Sequence, residues 1–462
     1  MHVLLISTYD LGRQPFGLAS PAAWLRAAGA EVDCVDTSRA ELADDQVSAA
    51  TLIAFYLPMH TATRLAAPLI ERARKVNPSA RLCAYGLYAP LNTEWLRERG
   101  VTEIIGPEAE AELVALVRPV SAGHETPTGA RQSADQPTAR SLPKLRFVTP
   151  DRAGLPALDQ YASLRMPDGS RRVMGSSDAT RGCKHLCRHC PIVPVYQGQF
   201  RVVPLDVVME DVRGQIAAGA QHISFADPDF LNGPTHARRL VQRFHEEWPD
   251  VSYDVTIKIE HLLSHADMVP VLRDTGCLFV TSAVEAIDDV VLGHLMKGHT
   301  RADFVTVAGV CRDAGVTLVP TFVPFTPWTT LAGYVELLDV LEALDLVEQV
   351  APVQLAIRLL VTSGSPLLEL SDIREVVAPF DPASLTWPWR HQNPAVDALQ
   401  SAVMQLVGAA SGAPRADVFA AIAALAREHA ALPPRSSRVA RGTPVPCVSE
   451  PWYCCAEPMD SL

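Results

Sequence analysis

The chain has no uninterrupted apolar run near the ~20 residues a membrane span needs; the longest, such as 51–58, are far shorter. No basic n-region or small-residue cleavage site follows the opening Met-His-Val-Leu-Leu-Ile-Ser, so no signal peptide is read and a cytoplasmic location is expected. Positive charge is not in excess. Forty Lys and Arg against 52 Asp and Glu leave −12, which gives no electrostatic ground for a nucleic-acid partner. Ten cysteines in 462 residues fall short of the density of a small disulfide-stapled secreted domain. A charged fraction of 20% and a mean hydropathy of +0.10 exclude a disordered chain. What is present is a chain of 48% hydrophobic residues, long enough for two or three domains with their own cores.

The expected fold class is α/β. Over residues 1–118, short apolar runs at 2–7, 31–36, 51–57, 80–85 and 102–105 alternate with helical patterns at 18–28, 61–76, 91–98 and 108–117. That order predicts a Rossmann-like, doubly wound parallel sheet covered by helices on both faces. Pro68 inside the 61–76 pattern predicts a kink or a late start. Ligands of such sheets sit at a topological switch point, here where Ser7, Thr8 and Tyr9 would face Pro58, Met59 and His60. Residues 119–147 are rich in Ser, Thr, Gly and Pro with almost nothing to bury, and read as a flexible linker. From 148 to 375 the alternation resumes. Strands are expected at 173–177, 222–226, 252–257, 278–282, 316–323 and 353–360, giving a partial barrel of six strand–helix units. Residues 376–434 are expected to be a small helical region, and 435–462 a tail without periodicity.

Four cysteines (Cys34, Cys83, Cys277 and Cys311) sit singly in apolar patterns, where a thiol behaves as a small hydrophobe. The other six fall into two groups. Cys183, Cys187 and Cys190, at C-x3-C-x2-C spacing, follow the first barrel strand, and parallel αβ barrels build their reactive centres on the loops that leave strand ends. Three thiolates at that spacing can hold three irons of a [4Fe–4S] cube and leave the fourth iron open. The alternative is zinc, with His185 or His189 completing a closed site, or a set of redox thiols.

At these residues the chain resembles the radical S-adenosylmethionine superfamily, whose cysteine signature Cys183, Cys187 and Cys190 match. The resemblance implies that the open iron binds the amino and carboxylate groups of S-adenosyl-L-methionine. It also implies that an electron supplied by a donor such as flavodoxin or ferredoxin breaks a carbon–sulfur bond, usually yielding a 5′-deoxyadenosyl radical. Further residues resemble family landmarks. The stretch from Ile223 to Phe230, with Asp227 and Asp229, stands where relatives hold the substrate's ammonium. Glu285 and Lys297 resemble the fourth-strand motif that touches ribose and methionine. Arg358 lies on the sixth strand, near where adenine packs, and His189 stands where many relatives carry an aromatic residue. An Asp or Glu at a strand end is otherwise a helix cap or a solvated group.

The N-terminal domain joined to such a barrel resembles the cobalamin-binding domain of one branch of the superfamily. The Asp-x-His-x-x-Gly motif that supplies a lower imidazole ligand is missing: Asp10-Leu11-Gly12 has no His two residues on. Some relatives bind cobalamin without that ligand, so the residues leave cobalamin beside the alternative of an empty or repurposed cleft. The tail holds Cys447, Cys454 and Cys455 in nine residues with Trp452 and Tyr453. Adjacent cysteines can bridge a thiophilic centre or cycle through a strained disulfide. Cys454-Cys455-Ala456-Glu457-Pro458 resembles the radical S-adenosylmethionine proteins named for a CCAEP or CUAEP ending, with Cys455 at the selenocysteine position. The resemblance implies a nucleophilic or redox-active atom there.

The expected function is reductive cleavage of S-adenosylmethionine to start radical chemistry on a small-molecule or thiophilic substrate. Cys447, Cys454 and Cys455 would act at the barrel mouth as ligand, hydrogen-atom donor or covalent carrier. One alternative is transfer of an aminocarboxypropyl or methyl fragment to a thiophilic acceptor such as arsenic. Another, of a different class, is a non-catalytic thiol or metal sensor.

Overall fold

The computed structural model describes residues 1–118, 145–410, 412–435 and 444–450. Five short apolar strands open the chain: β1 (His2–Ser7), β2 (Glu31–Asp36), β3 (Leu52–Tyr56), β4 (Arg81–Tyr85) and β5 (Glu103–Ile105). Their residues are nearly all buried, the mark of a sheet covered on both faces. They pair in parallel in the order β2-β1-β3-β4-β5, so the order reverses between β1 and β3, at the expected switch point. The helix His60–Val76 runs unbroken across Pro68, neither shortened nor interrupted there. A short helix, Asp44–Ala49, was not anticipated; its six residues carry only one buried side chain, Val47, too weak a periodic signal to read.

The second sheet is built from β6 (Ser163–Arg165), β7 (Arg171–Ser177), β10 (His222–Phe225), β11 (Ser252–Thr256), β12 (Cys277–Glu285) and β13 (Thr317–Phe322). Between β7 and β10 lies a separate antiparallel ribbon of β8 (Thr180–Gly182) and β9 (Phe200–Val202). The order of the large sheet is β13-β12-β11-β10-β7-β6-β14, with β7 to β13 parallel and the last strand, β14 (Cys447–Val448), antiparallel to β6. This is a curled half-barrel with five parallel strands. The expected sixth strand is absent from the ladder. Residues 352–355 form a 3-10 turn, and only an isolated bridge joins Phe325 to Arg358. The run there is apolar because it is buried, and burial alone does not give strand pairing.

The expected helical region begins later than position 376. Bridges Val377–Trp389 and Asp381–Thr386 fold the segment before it, and the helices are Pro394–Ala409 and Arg415–His429. Most of the expected linker (119–144), together with Cys454 and Cys455, lies outside the described residues.

The two sheets are tied by buried polar contacts. Arg152 grips Asp211 through two hydrogen bonds of 2.8 and 2.9 Å and reaches Gln14, while Arg181 meets Glu110 at 2.6 Å. His60 touches the Ser384 carbonyl at 2.6 Å, and the Trp95 indole donates to Pro382 O.

Candidate active site

The β8–β9 ribbon closes the loop that carries Cys183, Cys187 and Cys190. Gly182, the residue before the first of them, has φ +79° with the Tyr196 ring and the Gln199 carbonyl within 2.6 Å of where a Cβ would lie, so only glycine fits. Asp227 accepts from Ala179 N at 3.0 Å and from Thr180 Oγ1 at 2.5 Å, anchoring the strand that leads into the loop. Burial, with Asp178 nearby, pushes the Asp227 carboxyl up to about 7.

All three cysteines line one cavity of about 320 Å3 at the carboxyl ends of the barrel strands. Cys183 and Cys187 are buried and Cys190 is half-buried. Burial pushes the Cys183 thiol up to about 11; a cation bound at the sulfur reverses that balance, because the thiolate is the form that ligates.

Opposite them stands Glu285, at the bulged end of β12 with φ +68°, a strained conformation for a residue with a side chain. Its Oε1 lies 3.1 Å from His189 Nε2 and 3.4 Å from Lys297 Nζ, with all three side chains buried. Burial alone would raise this carboxyl; Lys297 and His189 overcome it and hold Glu285 down at about 2. Two more cavity-lining side chains keep a buried nitrogen with no hydrogen-bond partner among the described residues: His189 Nδ1 and Gln354 Nε2. Polar atoms left unpaired in an otherwise satisfied interior are what a polar ligand would need.

The cavity thus brings together eight of the expected site residues: Cys183, Cys187, Cys190, His189, Asp227, Glu285, Lys297 and Cys447. Cys447 arrives on β14, whose pairing with β6 places it opposite Arg165. The tail then crosses to the N-terminal domain, where Glu450 meets Arg39 at 3.2 Å; Gly12 permits the approach, since a Cβ there would lie 2.2 Å from the Glu450 carboxylate. Two expected site residues, Asp229 and Arg358, do not line this cavity. The Asp229 carboxylate faces His185 and His261 instead of the cavity, and Arg358 is held by Asp397 at 2.7 Å over the Trp389 ring. Sequence reasoning missed Lys258, Asp254, Arg13 and Arg415, which also line the cavity. Lys258 carried a usable signal, a lysine just beyond the end of a barrel strand.

A second crevice of about 250 Å3 opens at the β1–β3 switch point and shares Leu11, Arg13, Ile192, Ala226 and Pro228 with the first. No histidine lines it among the described residues, and His60 is turned toward Ser384. Its walls include Asp10, pushed up to about 7 by loss of water, and Asp178, raised for the same reason. A carboxyl near half-protonation at neutral pH, as Asp10 is, can both give and accept hydrogen bonds.

With this geometry described, residues 178–341 match the family model described as the Radical SAM superfamily. A stretch of 129 residues is 26% identical to the ribosomal protein uS12 methylthiotransferase RimO of Parabacteroides distasonis, covering 26% of this chain and 30% of that protein. The chain therefore spans under a third of the length of this curated relative. Among solved structures, the radical S-adenosylmethionine methyltransferase TsrM of Kitasatospora setae, with tryptophan and a SAM analogue bound, is similar with a TM-score of 0.57 and 18% identity. That likeness covers 74% of this chain and 71% of TsrM. The cobalamin-dependent S-adenosylmethionine radical enzyme OxsB, with aqua-cobalamin bound, gives a TM-score of 0.67 at 13% identity over 89% of this chain and 67% of OxsB. These two likenesses show a shared fold. The matched segment lies within the barrel and includes Cys183, Cys187 and Cys190.

Proposed function

We propose that the protein binds a [4Fe–4S] cluster through Cys183, Cys187 and Cys190 and reductively cleaves S-adenosylmethionine in the 320 Å3 cavity, with Cys447 presented to the same space. The observation that carries this reading is the convergence of the three cluster cysteines and a thiol of the tail on one cavity at the strand ends. When bound, the cluster would supply the electron that breaks a carbon–sulfur bond of the sulfonium.

The chain's own residues do the rest. Glu285, kept ionised by Lys297, accepts hydrogen bonds from hydroxyl groups of a nucleoside, and Gln354 Nε2 offers a donor deeper in the cavity. Phe279, Ile192 and Val323 supply apolar wall that keeps water away from a reactive carbon centre. Cys447 offers sulfur to an acceptor or to a substrate radical. A thiol in that place supports a thiophilic substrate, and Cys454 and Cys455 follow it closely in sequence.

Cobalamin belongs to the same proposal as a second cofactor. The crevice at the β1–β3 switch point adjoins the cavity and presents Asp10, Asp178 and Arg181 to an amide-rich ligand. With no imidazole in its lining, the cobalt would be held without a histidine ligand. Bound there, cobalamin would supply a methyl-carrying cobalt.

Anaerobic reconstitution followed by quantification of iron, sulfide and cobalt on one sample tests both parts. About four irons per chain are expected, lost in the Cys183→Ala, Cys187→Ala and Cys190→Ala variants. Dithionite and S-adenosylmethionine should then yield 5′-deoxyadenosine, or methylthioadenosine if the aminocarboxypropyl fragment is transferred to a thiophilic acceptor. Neither product from iron-loaded protein overturns the reading, and one colourless zinc in place of iron supports the sensor alternative.

A further inference from the structure

Behind the cysteine loop, outside the cavity, three side chains converge. His185 lies between the first two cluster cysteines, Asp229 follows β10, and His261 sits in the short helix after β11. One ligand atom from each lies within 4.8 Å of the others. His185 Nε2 is 3.2 Å from Asp229 Oδ2, and His261 Nδ1 is 2.7 Å from the same oxygen. Ligands on a tetrahedral ion with ~2.0 Å bonds lie about 3.3 Å apart, so the 3.2 Å contact already matches and the 2.7 Å one would open by about half an ångström around an ion.

Two further observations point to a cation. Despite its 2.7 Å separation from Asp229, His261 Nδ1 makes no hydrogen bond, although its side chain is only 4% exposed. The atom is close to the carboxylate but not aimed along the contact, as two ligands of one ion would be. The other ring nitrogen of His185, Nδ1, faces Glu260 Oε2 at 3.4 Å. A carboxylate behind the distal nitrogen is the usual outer partner of a metal-bound imidazole, fixing its tautomer and orientation.

We propose that His185, Asp229 and His261 bind one divalent first-row metal ion, of zinc type, with water in the remaining position. Two imidazoles and a carboxylate suit such an ion better than Mg2+ or Ca2+, which take oxygen ligands. Asp229 is fully buried and none of the three lines the 320 Å3 cavity, so the ion is structural: it pins the cysteine loop to the segments that leave β10 and β11. The inference does not depend on the cluster proposal, since no ligand is shared.

The test uses the full chain, reconstituted anaerobically with iron and sulfide, freed of loosely held metal by a mild chelator and titrated with Co2+. One Co2+ per chain is expected, with d–d absorption and no sulfur charge-transfer band. His261→Gln and Asp229→Asn should abolish stoichiometric binding. Glu260→Gln, at a side chain 44% exposed, should weaken it by about 10–100-fold. Iron content read on the same samples separates loss of this site from loss of the cluster. The proposal is overturned if the wild-type chain retains no Co2+, if both ligand variants retain it unchanged, or if the bound Co2+ shows a sulfur band that Cys447→Ser removes.

Discussion

Glu285 is the residue on which the electrostatics of the cavity turn. It is buried and strained, and it stays ionised because Lys297 and His189 face it. A carboxyl held near 2 contributes stability that is fully present above its unfolded value of 4.5 and is lost as pH falls toward 2. Lys297→Met removes the larger of the two favourable partners and leaves a buried charge, so a loss of about 3–5 kcal/mol is expected at pH 7. In that variant the carboxyl titrates upward, and acidification from pH 7 should narrow the gap to the parent. Urea unfolding at pH 7 and pH 5 checks both; no gap at pH 7 would show that the pair does not matter, and a gap that acidification leaves unchanged would show that Glu285 does not titrate upward in the variant. The cysteine trio was legible because its ligands are neighbours in sequence. Where Asp229 and Arg358 point is not legible in the sequence, because a strand-end side chain turns toward whatever partner the tertiary fold provides: His261 for one, Asp397 for the other. No spacing rule contains that choice.

At the scale of elements, β14 is the shortest strand and the one most exposed to a simple test. Ser449 extends its pairing: its N–H donates to Ser163 O at 2.9 Å, and its hydroxyl accepts from Ser163 N at 3.0 Å. Ser449→Pro deletes both bonds, worth about 2 kcal/mol together. The ratio of docked to undocked tail should fall about 30-fold, read as faster alkylation of Cys447 by iodoacetamide with peptide mass mapping. A rate equal to that of the parent would mean the tail is held by other contacts. The parallel strands of both sheets were legible from their apolar runs, since strands buried on both faces leave an unbroken signal. The absent sixth strand shows the limit of that signal, because residues 353–360 are apolar and buried without pairing in the ladder. The antiparallel β6, β8, β9 and β14 are two or three residues long, too short for any period to show.

At the scale of the whole molecule, the two sheets depend on each other. Arg181, just ahead of the cysteine loop, is paired with Glu110 of the N-terminal domain, and both side chains are at most 10% exposed. Glu110→Gln should cost about 3–5 kcal/mol by leaving the guanidinium without its counter-charge, and should loosen iron retention as well as domain docking. Thermal melting and iron content after gel filtration, measured together, test that coupling; a lower melting temperature with full iron would confine the effect to docking. His60 ties the same halves through Ser384, and burial lowers its pKa to about 4. A histidine depressed from 6.5 contributes stability above pH 6.5 that is lost as pH falls toward 4, by up to about 3 kcal/mol. His60→Gln should flatten the stability profile over that window; an unchanged slope would assign the pH dependence to other groups. The contact of Leu11 and Arg13, the cysteine loop, Glu285 and residues 446–450 with one cavity has a last consequence. A polypeptide emerges from the ribosome in order, and domains fold as they appear. Cys183, Cys187 and Cys190, the iron ligands proposed above, are therefore made long before the tail segment that walls them, so on that proposal metal loading can precede the closing of the chamber during biosynthesis.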